Sequence, residues 1–133
     1  MTNHPIDTWH QLVENTDPRG LTTLLADDAV FHSPVVHTPQ RGKALTQAYL
    51  SAAFLVLFNQ HFRYVREIRG DHDALLEFET RIDDIVINGV DIIHWNDAGQ
   101  IDDFKVMIRP LKAINLIHEK MAAMLAARAS AGS

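Results

Sequence analysis

Asp91 is the residue whose type and position say most about chemistry. It lies in Gly89–Trp95, GVDIIHW, where the other residues are mainly apolar and the spacing predicts a strand. Side chains alternate along a strand, so Asp91, Ile93 and Trp95 share one face, and Val90, Ile92 and His94 the other. The first face carries the bulkier apolar set and is expected to point inward. Burial disfavours the charged form of a carboxyl and raises its pKa by up to about 3–5 units. A carboxyl kept protonated near neutrality can donate a hydrogen bond or a proton to a carbonyl or ether oxygen. Two plainer arrangements stand beside this one. The opposite face is also apolar, and if it were interior, Asp91 would be solvated. Asp91 could also be buried as an ion against Arg63, Arg66 or Arg81 on a neighbouring strand.

Other residue types narrow the chemistry. Trp9, Tyr49, Phe54, Phe58, Phe78, Trp95 and Phe104 could line an aromatic pocket, and each equally suits an ordinary core. Tyr49 carries a hydroxyl that needs a partner if buried. The eight histidines show no HxH or HxxxH spacing; His32 and His37 are separated by a proline, so no metal site is expected. There is no cysteine and no glycine-rich phosphate loop, so neither thiolate chemistry nor a nucleotide cofactor is implied, and no cofactor is expected.

The net charge is −5 with no basic block, which argues against nucleic acid as a partner. The longest apolar run, Ala52 to Phe58, is far short of the roughly 20 residues of a membrane span. The start, MTNHPIDTW, does not follow a basic segment with an apolar one, so no signal peptide is expected, and a cytoplasmic setting is.

The elements that must position these residues follow from periodicity. A chain of 133 residues, 47% hydrophobic, fits one domain over 1–133, with 128–133 as a frayed tail. Pro5 opens a helix over 5–16 with Ile6, Trp9, Leu12 and Val13 at helical spacing. Asp17 caps and Pro18 opens a second helix that buries Leu21, Leu24 and Leu25. A short strand, 29–33, stops at Pro34. Residues 35–42 read as a loop and 43–58 as a longer helix, with Leu45, Ala48, Tyr49, Ala52, Leu55 and Val56 inward. The period then changes to that of strands at 61–69, 74–83, 90–95 and 101–108, separated by GDHD, NG and NDAG. Pro110 opens a last helix with Leu111, Ile114, Ile117, Met121, Met124 and Leu125 on one stripe, read as packing. The order ααβαββββα predicts an α+β fold in which a curved antiparallel sheet wraps a long helix. The wide end of such a cone is a natural pocket.

LTTLLADDAVFHSPV, Gly42 ahead of the third helix, and GVDIIHWNDAGQI resemble the nuclear transport factor 2-like superfamily, and VMIRPL at 106–111 looks like its SnoaL-like branch. The resemblance spans about Ile6 to Leu125 and implies a conical α+β barrel with a pocket, a small hydrophobic ligand, and a homodimer through the outer sheet face. The superfamily includes steroid delta-isomerases, polyketide cyclases and limonene epoxide hydrolases. By position, the steroid isomerases' base aspartate falls at Ser33, their helix tyrosine at Trp9 and their protonated aspartate at Asp91. One of the three matches, which argues against steroid isomerisation by that mechanism. SnoaL-like cyclases have an acid/base aspartate where Asp91 stands, and the histidine they place on a preceding strand has no counterpart in Leu75–Asp83. His32 is the nearest candidate by position. The arginine-x-aspartate of the epoxide hydrolases resembles Arg81 and Asp83 in TRID, while their second aspartate falls at Val106. An amphipathic strand with Glu77, Glu79, Arg81 and Asp83 outward explains the same residues.

The resemblance thus implies a cofactor-free isomerase or cyclase acting on a small hydrophobic carbonyl compound, with Asp91 as acid/base assisted by Ser33, Tyr49 or Trp9. Phe31, His32, Phe54, Phe58, Phe78, Ile93, Trp95 and Phe104 are the expected pocket. The alternatives are a non-catalytic binding or dimerisation module, and an epoxide hydrolase-like enzyme using Arg81 and Asp83.

Overall fold

Helix α1, Pro5–Glu14, begins where Pro5 occupies the first helical position and His4 Nδ1 accepts from the Ile6 N–H at 3.1 Å. The computed structural model describes residues 4–131. Ile6 and Trp9 are fully buried, and Leu12 and Val13 pack against the core, as their spacing predicts. Asp17 does cap the next segment, accepting from the Arg19 N–H at 3.1 Å. That segment is a single 3₁₀ turn, Pro18–Gly20, leading into a one-turn helix α2, Leu21–Leu24.

Strand β1, Leu25–His32, starts four residues before the expected strand, because the ADD stretch continues it rather than ending a helix. The loop after it contains a two-residue strand β2, Gln40–Arg41, paired antiparallel with β1. Helix α3, Lys43–Val56, follows Gly42, whose φ of +101° suits glycine. The four expected strands are β3, Arg63–Arg69; β4, Asp73–Ile82; β5, Ile85–Trp95; and β6, Ile101–Arg109. Helix α4 runs from Leu111 to Ala131, into the stretch expected to be a tail; residues 132–133 lie outside the described residues.

The strands form one sheet in the order β2-β1-β6-β5-β4-β3. The meander β3–β6 is antiparallel, as expected, and β1 adds to β6 in parallel. The result is the expected α+β class: a curved, unclosed sheet with the helices against its inner face.

Three details of the sequence reading are corrected. Asn88–Gly89 is not a turn: both lie within β5, which extends back to Ile85. The two-residue turn is Asp83–Asp84, whose φ values of +51° and +66° match the hairpin turn that fits strand twist, and aspartate tolerates that conformation. The inner stripe of α3 is also rotated. Leu45 and Leu55 are exposed, while Thr46, Leu50, Ser51, Ala52 and Phe54 are buried. Periodicity of apolar residues missed this because Thr46 is polar, yet its hydroxyl donates to the Ala29 carbonyl at 3.1 Å and is satisfied. On α4, Leu111 is exposed and Ala113, Leu116 and Ile117 carry the buried contact.

Candidate active site

Asp91 does point inward. It is only 4% exposed, on the same buried face of β5 as Ile93 and Trp95, while Val90, Ile92 and His94 lie half-buried on the other. In register it faces Leu76 of β4 on one side and Val106 of β6 on the other. Among the described residues, no arginine meets it. Arg63 and Arg66 pair with Glu79 and Glu77 instead, and Arg81 is exposed. Its partner is Tyr64 of β3, whose hydroxyl donates to Asp91 Oδ2 at 2.6 Å. The Trp9 indole N–H in turn donates to the Tyr64 oxygen at 2.9 Å.

Burial pushes the Asp91 carboxyl up to about 7, the Tyr64 hydrogen bond pulling the other way. Burial and the adjacent carboxylate likewise hold Tyr64 well above its ordinary value, so it stays a neutral donor. Because Oδ2 accepts from Tyr64, a proton taken up by the carboxyl belongs on Oδ1. The buried carboxyl therefore has a fixed hydrogen-bond partner for one oxygen only.

The chain Trp9–Tyr64–Asp91 depends on how α1 sits on β3. Trp9 packs edge-on against Phe54 at 5.4 Å and tilted against Phe104 at 4.9 Å between ring centres. On the outer side of α1, Asp7 accepts from Arg69 at 2.8 Å and His10 meets Glu67 at 2.5 Å, tying helix to strand. The bond from Arg69 lowers the Asp7 pKa, a sign that the clamp favours the ionised pair. Gly89, two residues before Asp91 on its face, lets the Phe78 ring lie across β5. A Cβ there would stand 2.5 Å from Phe78 Cζ and 2.6 Å from the Met107 carbonyl oxygen.

One space adjoins the carboxyl, and a second shares part of its wall. A hollow of about 20 Å³ is lined by Asp91 with Trp9, Phe58, Phe78, Phe104, Leu50, Ala53, Leu57 and Val106. Beyond Ala53, Leu57 and Val106 lies an apolar cavity of about 190 Å³ between α3, α4, β1 and β6. Phe31, Ser33 and Tyr49 line that outer cavity.

Of the residues expected here, Asp91, Trp9, Phe58, Phe78 and Phe104 come together at the hollow. Ser33 and Tyr49 border the cavity and not the carboxyl. The Ser33 hydroxyl accepts from the Val35 N–H at 3.0 Å, holding the loop after β1, and the Tyr49 ring stacks on Phe31 at 5.5 Å. His32 does not line either space. Alternation turns it outward, opposite Phe31, where it meets Asp103 at 2.8 Å. Phe54 and Ile93 are fully buried core residues that line neither space. Trp95, four positions along β5 from Asp91, is carried about 13 Å away and packs edge-on against His4.

Arg81 and Asp83 do not form an interior pair. Arg81 is exposed at the end of β4, and Asp83 sits in the hairpin turn, its side chain 63% exposed and 3.2 Å from Lys120. The amphipathic-strand reading holds for this segment.

Sequence reasoning missed Tyr64. Tyr64, Val65 and Ile68 do not alternate cleanly, and a register shift between Tyr64 and Arg66 breaks the pattern that would have aimed the ring inward. It also missed α4 as a wall: Ile117, His118, Met121 and Leu125 face the cavity, and the stripe read as packing does both.

Residues 6–104 match the SnoaL-like domain family. In three dimensions the chain is similar to a steroid delta-isomerase from Pseudomonas aeruginosa, with 33% identity and a TM-score of 0.89 over 95% of this chain and 92% of that one. It is similar to an uncharacterized protein with a cystatin-like fold, conserved in bacteria, from Silicibacter pomeroyi DSS-3, with 30% identity and a TM-score of 0.82 over 90% and 83%. It shares its fold with SalBIII, an epoxide hydrolase/cyclase-like enzyme of pyran ring formation in salinomycin, at 15% identity and a TM-score of 0.62 over 79% and 88%. Among curated proteins, none matches in sequence. The family match and the two structures at 30% identity and above agree with the resemblance read from LTTLLADDAVFHSPV and GVDIIHWNDAGQI. The chain belongs to the SnoaL-like domain family.

Proposed function

We propose that this protein is a cofactor-free enzyme of the isomerase or cyclase type, acting on a small apolar carbonyl compound held in the cavity. The observation that carries the reading is Asp91: a carboxyl buried beside an apolar cavity, anchored by Tyr64 and held near a pKa of about 7. Protonated, it donates to the carbonyl oxygen and stabilises the enol that forms when the neighbouring carbon loses a proton. That proton goes to a group outside the hollow, and His118, which lines the cavity from α4, brings an imidazole to that side. Enolisation is the first step common to double-bond migration and to aldol-type ring closure. The 33% identity with a steroid delta-isomerase supports this class without assigning the steroid as substrate.

A second reading is a binding module without turnover. It draws on the hollow itself, where Asp91 is the one carboxyl among the described lining residues. Deuterium uptake at the α-carbon of cyclohexanone in D₂O separates the two. An enzyme accelerates the exchange, and Asp91→Asn, whose amide cannot supply the acid proton, lowers it by about 100-fold or more while the fold persists. Exchange no faster than in buffer, with the ketone bound, leaves the binding module.

A further inference from the structure

The hollow at Asp91 and the larger cavity meet at three side chains, Ala53, Leu57 and Val106, which line both. Ala53 and Leu57 are one helical turn apart at the end of α3, and Val106 is the register partner of Asp91 on β6. These side chains of a helix and the adjacent strand stand between the carboxyl and the cavity.

The hollow, about 20 Å³, is of the size that holds one water, which needs roughly 10–15 Å³ of such space. A water also needs two to four polar partners, as a rule about three. Among the lining residues only Asp91 and Trp9 carry polar side-chain atoms, and the Trp9 N–H is committed to Tyr64. A free water there would be poorly held. An oxygen atom attached to an apolar body needs a single donor, and Asp91 supplies it.

We propose that Ala53, Leu57 and Val106 form a constriction that admits one unflanked oxygen atom of a ligand to Asp91, and so select carbonyl compounds whose adjacent carbons are unsubstituted. The proposal rests on the reading of Asp91 as the oxygen-binding group and adds what limits the compounds that reach it. Bulk next to the oxygen stops at the constriction, whatever the apolar cavity gains from it. Selection of this kind opposes hydrophobicity, which makes it measurable.

The test is an NMR titration of the Asp91 carboxyl carbon in the full chain with two ketones, cyclohexanone and 2,2,6,6-tetramethylcyclohexanone. The four extra methyl groups favour the second in any purely apolar site. The expected result is that cyclohexanone moves the Asp91 signal, while the hindered ketone binds the cavity with at least a tenfold smaller effect on it. Val106→Ala widens the constriction and lets the hindered ketone move the signal. Leu57→Ala serves the same purpose where a thermal melt shows Val106→Ala to be unfolded. Equal Asp91 shifts from both ketones in the unaltered protein overturn the constriction and leave the Asp91 reading standing. An unchanged preference in the widened variant overturns the assignment to these side chains. No Asp91 shift with either ketone overturns both the constriction and the reading beneath it.

Discussion

The Tyr64 hydroxyl donates to Asp91 Oδ2 across 2.6 Å, from a strand that is not adjacent to that of Asp91. β3 and β5 are separated by β4, and the curvature of the sheet brings the two side chains together over it. Trp9, on α1, completes the line from a third element. The ionisation state of one carboxyl thereby depends on the docking of helix, edge strand and inner strand.

Tyr64→Phe removes the bond that favours the carboxylate form and leaves the ring's bulk in place. Burial, the larger influence, then acts unopposed, so the Asp91 pKa is expected to rise above about 7. A carbon-detected NMR titration reads it directly. The Trp9 N–H also loses its acceptor, a loss of about 1–3 kcal/mol for a buried donor left unpaired. An Asp91 pKa that falls in this variant contradicts the role given to Tyr64.

Asp91 makes stability depend on pH in a defined direction. Its pKa is 3.8 in the unfolded chain and about 7 when folded. Between these values the folded protein keeps a proton that the unfolded chain has released. Its contribution is therefore fully present below the lower value, declines as pH rises, and is lost above the higher one. At about 1.4 kcal/mol per unit, the difference is roughly 4 kcal/mol. Asp91→Asn cannot ionise and retains an acceptor for Tyr64. Urea unfolding should show the variant gaining on the unaltered protein from about pH 4 to about pH 7. A constant difference across that range places Asp91 in a hydrated environment.

The fold was legible because its signals are local. Pro5, Asp17, Gly42 and the switch from helical to alternating period mark the elements wherever local preference and tertiary packing agree. The inward face of Asp91 was legible for the same reason: Ile93 and Trp95 outweigh Val90, Ile92 and His94. Tyr64 was not, because its orientation is set by a register shift against β4, and its partner is 27 residues away. The α3 face was misread because a satisfied threonine packs as well as an apolar residue would. The turn was placed at Asn88–Gly89 because that dipeptide is the stronger turn signal. In the fold Gly89 instead answers to Phe78, a contact that exists only after β4 and β5 pair.

That contact gives a prediction about the hollow. In Gly89→Ala the new methyl meets Phe78 Cζ at 2.5 Å and a backbone carbonyl at 2.6 Å. The ring can shift, toward the hollow it lines; the carbonyl belongs to β6 and cannot without disturbing the ladder. The expected loss is about 1–3 kcal/mol, the cost typical of overpacking, read as a lower urea midpoint. Cyclohexanone should also lose its effect on the Asp91 carboxyl signal. A variant as stable as the original, with ketone binding intact, shows that β5 has more room than these distances allow.

The outer face of the sheet contributes a second pH dependence, and it runs in the same direction. His94 Nδ1 meets Asp102 Oδ1 at 2.5 Å, and that bond, which burial opposes, raises the His94 pKa above 6.5. Asp73 and Asp103 add to the rise, and the His72 ring stacks nearby at 6.3 Å. A raised histidine stabilises the fold fully below its unfolded value and stops doing so as pH climbs through the folded one. Its imidazole is partly exposed, so solvent and salt weaken the pair. Asp102→Asn should return the His94 pKa toward 6.5 and flatten the stability profile above that pH. Because His94 and Asp91 lie on opposite faces of β5, the effects of Asp102→Asn and Asp91→Asn should add in the double variant. Chemical-shift titration of the His94 ring and urea unfolding of all four proteins across neutral pH measure both claims. A non-additive double variant reveals coupling through the strand.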